Sequence, residues 1–424
     1  MKKIFEKDFR GRKLVIEHGE YAKQAHGSVL VRYGDTVILS TCVVSDNANI
    51  LSDFFPLMVL YQEKLYSVGK IPGGFIKREG RPTDAATLAA RMIDRPMRPM
   101  FPDDFRNEVQ VVNTVLSVDN DYSPELTAMF GSSLSTCISK IPFDGPIAGV
   151  KVGRIDGKFI INPTPSELEV SDIDLTVAGT KYAINMVEAG AKEVSEEDML
   201  DALFGHEAVK ELCEFQEEII AQVGVEKMEY EHLIIEDSMR EDIIKLASDK
   251  LDKAMRIKEK LEKYRAIDQV KEEVVEKYKQ ENNTLSEDEL NILITKVKLV
   301  LESIEYDIFR SITVNEKTRS DGRAMDEIRP LSTEIDILPR AHGSAVFTRG
   351  ETQALAVTTL GALNEYQVLD GISLEAEKHF MLHYNFPAFS VGETGRYGSP
   401  GRREIGHGAL GERCLKQVMP SEEE

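Results

Sequence analysis

The stretch from Gly398 to Pro420 combines side chains that suit the binding of an anion. Arg402 and Arg403 follow a turn rich in glycine and proline, where we predict that a helix begins, and His407 lies one helical turn after Arg403. We expect the apolar side of this helix to consist of Ile405, Ala409, Leu410 and Leu415. Free backbone N–H groups and the positive end of the helix dipole favour an anion at such a place, and guanidinium groups match phosphate oxygens. A solvated basic turn with a capping histidine explains the same residues, so this pattern alone leaves both interpretations open.

An earlier copy of this stretch lies in the same chain. Residues 80–102 align without a gap on residues 398–420, at an offset of 318 positions (398 − 80). Further matches follow in the same order with small changes of offset: Gly11-Arg12 with Gly322-Arg323, Ala25–Ser28 with Ala341–Ser344, and Ser67–Gly69 with Ser390–Gly392. Ordered matches of this kind predict a duplicated domain.

The two copies differ where chemistry would occur. Asp84 and Ala85 stand at the positions that correspond to Arg402 and Arg403, and Ala89 stands at the position of His407. The predicted anion site therefore exists only in the second copy.

A loop with aromatic and basic side chains distinguishes the first copy. Ten residues separate its Ser-Val-Gly from the aligned stretch, against five in the second copy, and they include Phe75, Ile76, Lys77 and Arg78. Aromatic rings that stack on bases, together with a few cations, hold single-stranded RNA without reading its sequence. We therefore predict that this loop binds RNA.

Three arginines extend this basic character along a helix that is predicted to begin at about Thr83 and to end near Pro96 and Pro99. Arg91, Arg95 and Arg98 fall on one arc of about 60° at 100° per residue. A solvated face with intramolecular carboxylate partners would have the same spacing. The neighbouring loop favours a track for a polyanion, so we predict that these arginines bind RNA as well.

The order of strand and helix patterns predicts an α+β fold in which two βαβ-type domains are separated by an all-helical domain. Strands are predicted at Ser28–Tyr33, Thr36–Val44, Leu57–Tyr66, Val109–Val118, Gly145–Arg154, Lys158–Ile161, Asp174–Ala178, Gly343–Thr348 and Thr352–Thr359, and helices at Leu126–Ile138 and from Ser195 to Gly224. Residues 238–312 have a helical pattern, and their alternating Lys and Glu indicate a solvated face. Within them, Ser286–Glu289 predicts a capping box before a helix at Leu290–Ile312. The predicted domains are 1–235, 236–314 and 315–424.

Composition narrows the class of protein. A net charge of −21 argues against a general nucleic-acid coat, although a local basic channel remains compatible with it. The four cysteines are far apart in the sequence and suggest a reducing compartment. The first residues contain no apolar run, and no stretch approaches a membrane span, so we expect a cytoplasmic protein without a membrane partner.

Three motifs resemble the bacterial polynucleotide phosphorylase (polyribonucleotide nucleotidyltransferase) family. They are FTRGETQ at 347–353, GSPGRREIGHG at 398–408 and RMIDRPMRPMFP at 91–102. The resemblance implies a duplicated RNase PH-like core with a helical insert. It also implies reversible phosphorolysis of single-stranded RNA from its 3′ end, with inorganic phosphate as co-substrate, Mg²⁺ as cofactor and nucleoside diphosphates as products. The partners that it implies are a homotrimer around an RNA channel and an RNA-degrading complex.

The resemblance also gives roles to individual residues. Arg402, Arg403 and His407 match active-site positions, and Phe75, Lys77, Arg78, Arg91, Arg95 and Arg98 match RNA-binding positions. Asp172 and Asp174 resemble part of a metal-binding strand, but they belong to the first copy, and Leu168 and Thr176 replace their companion Asp and Lys. We therefore predict no metal ligand among the residues present.

A large departure from the family pattern follows Pro420. Only Ser421–Glu424 remain there, whereas the first copy continues for about 120 residues after Pro102. We therefore expect the second RNase PH-like domain to be truncated, the Mg²⁺ ligands to lie beyond residue 424, and the 424-residue chain alone to bind RNA without releasing nucleoside diphosphates. The alternative hypothesis is a catalytically inactive RNA-binding ring subunit or a fragment of an RNA-degrading assembly.

Overall fold

A computed structural model describes residues 2–52, 54–362, 364–395 and 397–420 of the chain. Contacts divide it into two compact units: residues 1–49, 54–231 and 365–424 form the first, and residues 50–53 and 232–364 form the second. The predicted domain boundaries at 235/236 and 314/315 stay predictions. Ser421–Glu424, the residues that follow Pro420, lie outside the described residues.

A six-stranded sheet with the order β1-β2-β3-β4-β6-β5 begins the first unit. Its strands are β1 (Lys3–Phe9), β2 (Arg12–His18), β3 (Gly27–Tyr33), β4 (Thr36–Ala48), β5 (Leu57–Gln62) and β6 (Asn107–Ser117). Neighbouring strands are antiparallel except β5 and β6, which are parallel because the crossover between them contains a helix. Gly34 makes the β3–β4 turn possible with a φ of 60°.

Two helices cover this sheet. They are α1 (Asp84–Met97) and α2 (Pro124–Cys137), and a 3₁₀ turn, Arg98–Met100, follows α1. The Thr83 hydroxyl caps α1 by accepting a hydrogen bond from the Ala86 N–H at 3.0 Å. Helix α2 is buried from Leu126 to Cys137, and its small residues allow close approach, since a Cβ at Gly131 would overlap the Ser40 side chain of β4.

A second, four-stranded sheet with the order β10-β9-β7-β8 completes the first copy. Its elements are β7 (Ala148–Ile155), β8 (Lys158–Ile161), α3 (Pro165–Val170), β9 (Ile173–Gly179), β10 (Ile184–Ala191), α4 (Glu196–Asp201) and α5 (Gly205–Val223). Apolar residues of β7, β9 and α5 share one core with residues of β2, β3 and α2. Burial of such side chains stabilises the fold by roughly 25 cal/mol per Å² of apolar area.

Three helices dominate the second unit. They are α6 (Asp237–Met255), α7 (Lys260–Glu281) and α8 (Glu287–Asn315), and their apolar faces form a separate core. The predicted capping box at the start of α8 is present, because the Ser286 hydroxyl accepts from the Glu289 N–H and the Glu289 carboxylate accepts from the Ser286 N–H. The same unit contains a three-stranded antiparallel sheet, β11 (Leu331–Ile335), β12 (Gly343–Arg349) and β13 (Thr352–Thr358).

The remaining part of the second copy belongs to the first unit. It contains β14 (Gln367–Val368), β15 (Glu377–Lys378), a 3₁₀ turn at Ala388–Val391 and α9 (Arg402–Lys416). Helix α9 packs against α1, its counterpart in the first copy. Both helices begin at aligned positions, since Asp84 and Arg402 are 318 residues apart.

Local geometry repeats between the copies. The turn glycines Gly34 and Gly350 have φ values of 60° and 62°, and a 3₁₀ turn precedes a left-handed glycine at both Gly69 and Gly392. The histidines at aligned positions make the same hydrogen bond: His26 Nδ1 accepts from the Val44 N–H at 3.0 Å, and His342 Nδ1 accepts from the Leu360 N–H at 2.8 Å.

The structure corrects four details of the sequence predictions. The strand predicted over Leu57–Tyr66 ends at Gln62, because Leu65–Val68 forms a 3₁₀ turn. The helix predicted from Ser195 to Gly224 is divided by a 3₁₀ turn at residues 202–204. Helix α1 continues through Pro96, which was expected to help end it. On α9, Leu410 and Leu415 were predicted to lie on an apolar side but are largely exposed, because the glycines Gly406 and Gly408 make the buried contacts.

Candidate functional site

The start of α9 carries the predicted anion site. Gly401 is the N-cap residue, and the carboxylate of Glu404 accepts hydrogen bonds from the backbone N–H groups of Gly401 (2.8 Å) and Phe386 (2.7 Å). These two hydrogen bonds lower the pKa of Glu404, which therefore stays charged in the first turn of the helix. The first helical turn is thereby fixed to the segment that contains Phe386.

The two arginines of this turn have different surroundings. Arg402 Nη1 donates a hydrogen bond to the carbonyl oxygen of Val59, on β5 of the first copy, at 2.9 Å. Arg403 and His407 are exposed, and the His407 ring meets the Tyr384 ring edge-on with 4.4 Å between centroids. Arg402 is therefore held by the first copy, while Arg403 and His407 face solvent one helical turn apart.

The predicted RNA-binding loop presents its aromatic residue fully to solvent. Phe75 is 101% exposed, and Ile76, Lys77 and Arg78 are exposed as well. A tight turn forms the loop, since the Lys77 N–H donates to the Gly74 carbonyl at 3.0 Å and Lys77 has a left-handed φ of 50°. An exposed ring beside two cations is available for stacking on a base.

The arginines of α1 are largely engaged within the protein. Arg95 Nη1 donates to Glu188 Oε2 at 2.6 Å, and Arg98 forms a two-pronged ion pair with Asp94 at 2.8 and 2.9 Å. Arg91 lies against Gly406 of α9, where an added Cβ would overlap its guanidinium group. Arg95 and Arg98 thus have the carboxylate partners that the alternative interpretation of this arc anticipated.

A cavity of about 840 Å³ lies in the first copy at the position that corresponds to the predicted anion site of the second copy. Ala85 and Ala89, which replace Arg403 and His407, lie on its wall together with Glu63. Burial raises the pKa of Glu63, the hydrogen bond from the Thr83 hydroxyl opposes this shift, and the nearby Glu125 carboxylate adds to it. The two alanines offer no cation or hydrogen-bond donor to an anion at this position, in agreement with the sequence.

The two aspartates considered for a metal are engaged in ion pairs. Asp172 binds Arg154 with oxygen–nitrogen distances from 2.6 to 3.1 Å, and Asp174 lies 3.3 Å from the Lys151 ammonium. Within the described ranges, no group of three or more His, Cys, Asp or Glu side chains could hold a metal ion. These residues therefore do not fit the Mg²⁺ that the resemblance implied, and no step of the chemistry is assigned to a metal held by them.

The cysteine thiols differ in burial. The thiols of Cys42, Cys137 and Cys213 are buried, which raises their pKa values to about 11, 12 and 12, whereas Cys414 on α9 is exposed.

No helix in the described part of the chain has the length and apolar character needed to cross a membrane.

Comparison with known families matches both copies to one domain. The description "3′ exoribonuclease family, domain 1" fits residues 10–142 and 327–424, more than half of the chain. The chain belongs to the 3′ exoribonuclease family. Domain 2 of that family matches residues 145–207, and the RNA binding domain of polyribonucleotide nucleotidyltransferase matches residues 238–324. The predicted duplication of an RNase PH-like domain around a helical region is therefore confirmed.

Similar proteins carry the name polyribonucleotide nucleotidyltransferase. The chain is 57% identical to the protein of Enterococcus faecalis, 58% to that of Bacillus velezensis and 56% to that of Streptococcus pneumoniae. Each alignment covers 100% of this chain, and 60%, 59% and 57% of the respective relative. The resemblance found in the motifs is confirmed, and the chain spans about 60% of the length of these curated relatives.

A solved structure, rice (Oryza sativa) Rrp46, has a more distant similarity. It is 15% identical, with a TM-score of 0.39, and the alignment covers 52% of this chain and 95% of that chain. This similarity is too low to bear on the fold.

Sequence reasoning missed several residues that position the site of this family member. Ser399 accepts a hydrogen bond from Arg81 at 3.0 Å, and Arg413 shares the Glu188 carboxylate with Arg95. The offset of 318 was a signal for both contacts, because it aligns Arg81 with Ser399 and Arg95 with Arg413. No sequence signal pointed to Glu188 or to Tyr384.

Proposed function

We propose that this chain forms part of a polyribonucleotide nucleotidyltransferase that degrades single-stranded RNA from its 3′ end by phosphorolysis. The observation that carries the proposal is the placement of Arg402, Arg403 and His407 on the first two turns of α9. The names of the relatives and of the matched domains support the same activity.

The reaction requires stabilisation of charge on a phosphoryl group. An oxygen of inorganic phosphate forms a bond to the phosphorus of the terminal phosphodiester, and the bond from that phosphorus to the 3′ oxygen of the preceding nucleotide breaks. A nucleoside diphosphate leaves, and the shortened RNA ends in a 3′ hydroxyl after that oxygen takes up a proton. Arg403 would bind the attacking or the attacked phosphate, since it is exposed at a helix N-terminus.

His407 and Arg402 complete this arrangement. His407 lies one turn from Arg403 and would donate a hydrogen bond to a phosphate oxygen, with its ring held edge-on by Tyr384. Arg402 would contribute its remaining N–H donors, because one guanidinium nitrogen already binds the Val59 carbonyl. Preorganised donors of this kind stabilise the transition state without reorganisation during the reaction.

RNA would reach this site past the loop of the first copy. Phe75 would stack on a base while Lys77 and Arg78 contact phosphates, and exposure of all three side chains supports this role. Arg91, Arg95 and Arg98 are proposed as further RNA contacts, although Arg95 and Arg98 would have to share or exchange their carboxylate partners. The same proposal includes inorganic phosphate as co-substrate and Mg²⁺ bound outside the residues present. It also includes a homotrimer, an RNA-degrading complex and a cytoplasmic location.

Binding of RNA by the loop can be tested on the 424-residue chain. Lys77→Ala combined with Arg78→Ala should weaken the affinity for a short oligo(A), measured by fluorescence anisotropy. The slope of log K against log salt should become less steep by about 1.4, because two phosphate contacts at about 0.7 each are lost. Lys23→Ala combined with Lys158→Ala removes two exposed cations outside the site and serves as the control. An unchanged slope in the loop variant would exclude the loop as a phosphate contact.

Phosphorolysis is best tested on the protein at the length of its relatives. There, Arg403→Ala should reduce the release of ADP from poly(A) by a factor of about 10² or more, the range found when a transition-state donor is removed. Far-UV circular dichroism should show an unchanged fold, since Arg403 is exposed. Activity at the parent level would mean that the arginine pair is only a basic turn.

A further inference from the structure

The base of the RNA-binding loop is bound by a residue of the second copy. The Gly73 N–H donates a hydrogen bond to Asp370 Oδ2 at 2.9 Å, and the Gly73 carbonyl accepts one from Lys77 Nζ at 3.3 Å. One glycine therefore connects the carboxylate of Asp370 to a cation of the loop. A Cβ on Gly73 would overlap the Asp370 carboxylate, so a side chain at position 73 would require Asp370 to move.

Asp370 is itself fixed by its neighbours in the chain. Ile372, two residues later, is only 6% exposed and lies in a core formed mostly by residues of the first copy. The Gly371 carbonyl accepts a hydrogen bond from Lys70 Nζ at 3.2 Å, just before the loop. The segment 370–372 thus combines an apolar anchor with two polar contacts, and the loop is bound to a segment that is anchored in the core of the first copy.

The far end of the loop provides a second contact with the same copy. Arg81 Nη1 donates to Ser399 Oγ at 3.0 Å, in the turn that leads into α9. Between these two points Phe75 and Ile76 are exposed, so their position depends on the contacts at the base. Ordering such a segment costs conformational entropy when RNA binds, unless the free protein has already ordered it.

We propose that Asp370 is a positioning residue that holds Gly73, and through it the Phe75–Arg78 loop, in the conformation that accepts RNA. The part of this inference that concerns RNA rests on the proposed function. A negative charge beside a polyanion site is unfavourable by itself, and Asp370 and Arg78 line the same cavity of about 480 Å³. The benefit of Asp370 therefore lies in the hydrogen bond that it accepts, not in its charge.

Two substitutions separate the hydrogen bond from the charge. Asp370→Asn and Asp370→Ala both remove the negative charge, but only the asparagine retains an oxygen that can accept from the Gly73 N–H. Any difference between these two variants therefore reports on the hydrogen bond. Asp201→Ala, at an exposed aspartate of α4, controls for the loss of a surface carboxylate.

The first measurement needs no RNA. The chain contains no tryptophan, so Phe75→Trp places a single tryptophan at the exposed tip of the loop. Time-resolved fluorescence anisotropy of this protein should show greater local motion after Asp370→Ala, and unchanged motion after Asp370→Asn or Asp201→Ala. Equal motion in the alanine variant and the parent, or equal loosening by asparagine and alanine, would overturn the proposal.

The second measurement uses oligo(A) and the native Phe75. We expect Asp370→Ala to bind about three- to tenfold more weakly than Asp370→Asn, because the apparent affinity falls with the fraction of loops in the competent conformation. Equal affinities would overturn the role of Asp370 in RNA binding. The double variant Lys77→Ala, Arg78→Ala is measured in parallel. If this variant binds oligo(A) as tightly as the parent, the proposed RNA contact of the loop is wrong. The tryptophan anisotropy then still decides whether Asp370 holds the loop.

Discussion

Glu188 joins the two copies through one carboxylate. It lies on β10 and binds Arg95 of α1 at 2.6 Å and Arg413 of α9 at 3.0 Å, two arginines at aligned positions of the duplication. We predict that Glu188→Gln destabilises the first unit, because the substitution preserves the shape of the side chain but leaves two guanidinium groups facing each other without a counter-charge.

The size of the effect follows from the exposure of the three side chains. Glu188 is 20% exposed, whereas Arg95 and Arg413 are 39% and 35% exposed, so solvent screens each pair in part. Ion pairs of this kind contribute up to about 1 kcal/mol each, and the two together should contribute about 1–2 kcal/mol. For a unit of this size, such a loss corresponds to a fall in Tm of about 2–8 °C.

Urea denaturation followed by circular dichroism measures this free energy of unfolding. Arg95→Met and Arg413→Met should each cost less than Glu188→Gln, because either one leaves the carboxylate paired with the other arginine. All three effects should shrink in about 1 M salt, where the Debye length is about 3 Å. Glu193→Gln, at an exposed glutamate just after β10, is the matched control. A Glu188→Gln protein as stable as this control would refute the argument.

Three further predictions concern the neighbourhood of the site. Gly406→Ala should destabilise the protein by about 1–3 kcal/mol in the same denaturation assay, because the new Cβ would overlap Arg91. The control is Gly411→Ala on the same helix, where a Cβ meets only ordinary contacts and the substitution should be neutral or stabilising. Because the pKa of Glu63 is raised in the folded protein, the contribution of this carboxyl group to stability falls as pH rises through that pKa. The Glu63→Gln protein should therefore be more stable than the parent at pH 7. The difference should disappear below the pKa of the unfolded state, near pH 4. Ellman's reagent should titrate only Cys414 in the folded chain and all four thiols after unfolding, since the other three are buried with raised pKa values; rapid labelling of more than one thiol in the native state would contradict this.

Much of the local structure could be predicted from the sequence. The start of a helix at about Thr83 and the capping box at Ser286 are short-range patterns, and each is present where it was predicted. The duplication was visible because aligned glycines keep their left-handed backbone, for which few other residues are suited. Patterns that depend on a few adjacent residues were therefore reliable guides.

Contacts between distant residues could not be predicted in the same way. The periodicity of α9 favoured Leu410 and Leu415 as its buried side, yet Gly406 and Gly408 make the close contacts, because α1 and the segment at Leu382–Tyr384 approach the helix backbone directly. Hydrophobicity does not show that a helix is packed through glycines. The partner of Arg95, Glu188, was also hidden, since a spacing of arginines does not reveal whether a distant carboxylate or a solvent-exposed polyanion lies opposite.

These contacts indicate that the residues of the proposed anion site in the second copy depend on the first copy for their position. Arg402 is held by the Val59 carbonyl, the turn before it by Arg81, and the last turn of α9 by Glu188. Each of these partners belongs to the first copy, which has neither the arginine pair nor the histidine at the aligned positions. The contacts therefore give the first copy a separate structural role, because it supports α9. Substitutions more than 200 residues away in the sequence, at Glu188 above all, should consequently alter the geometry at Arg403 without touching it.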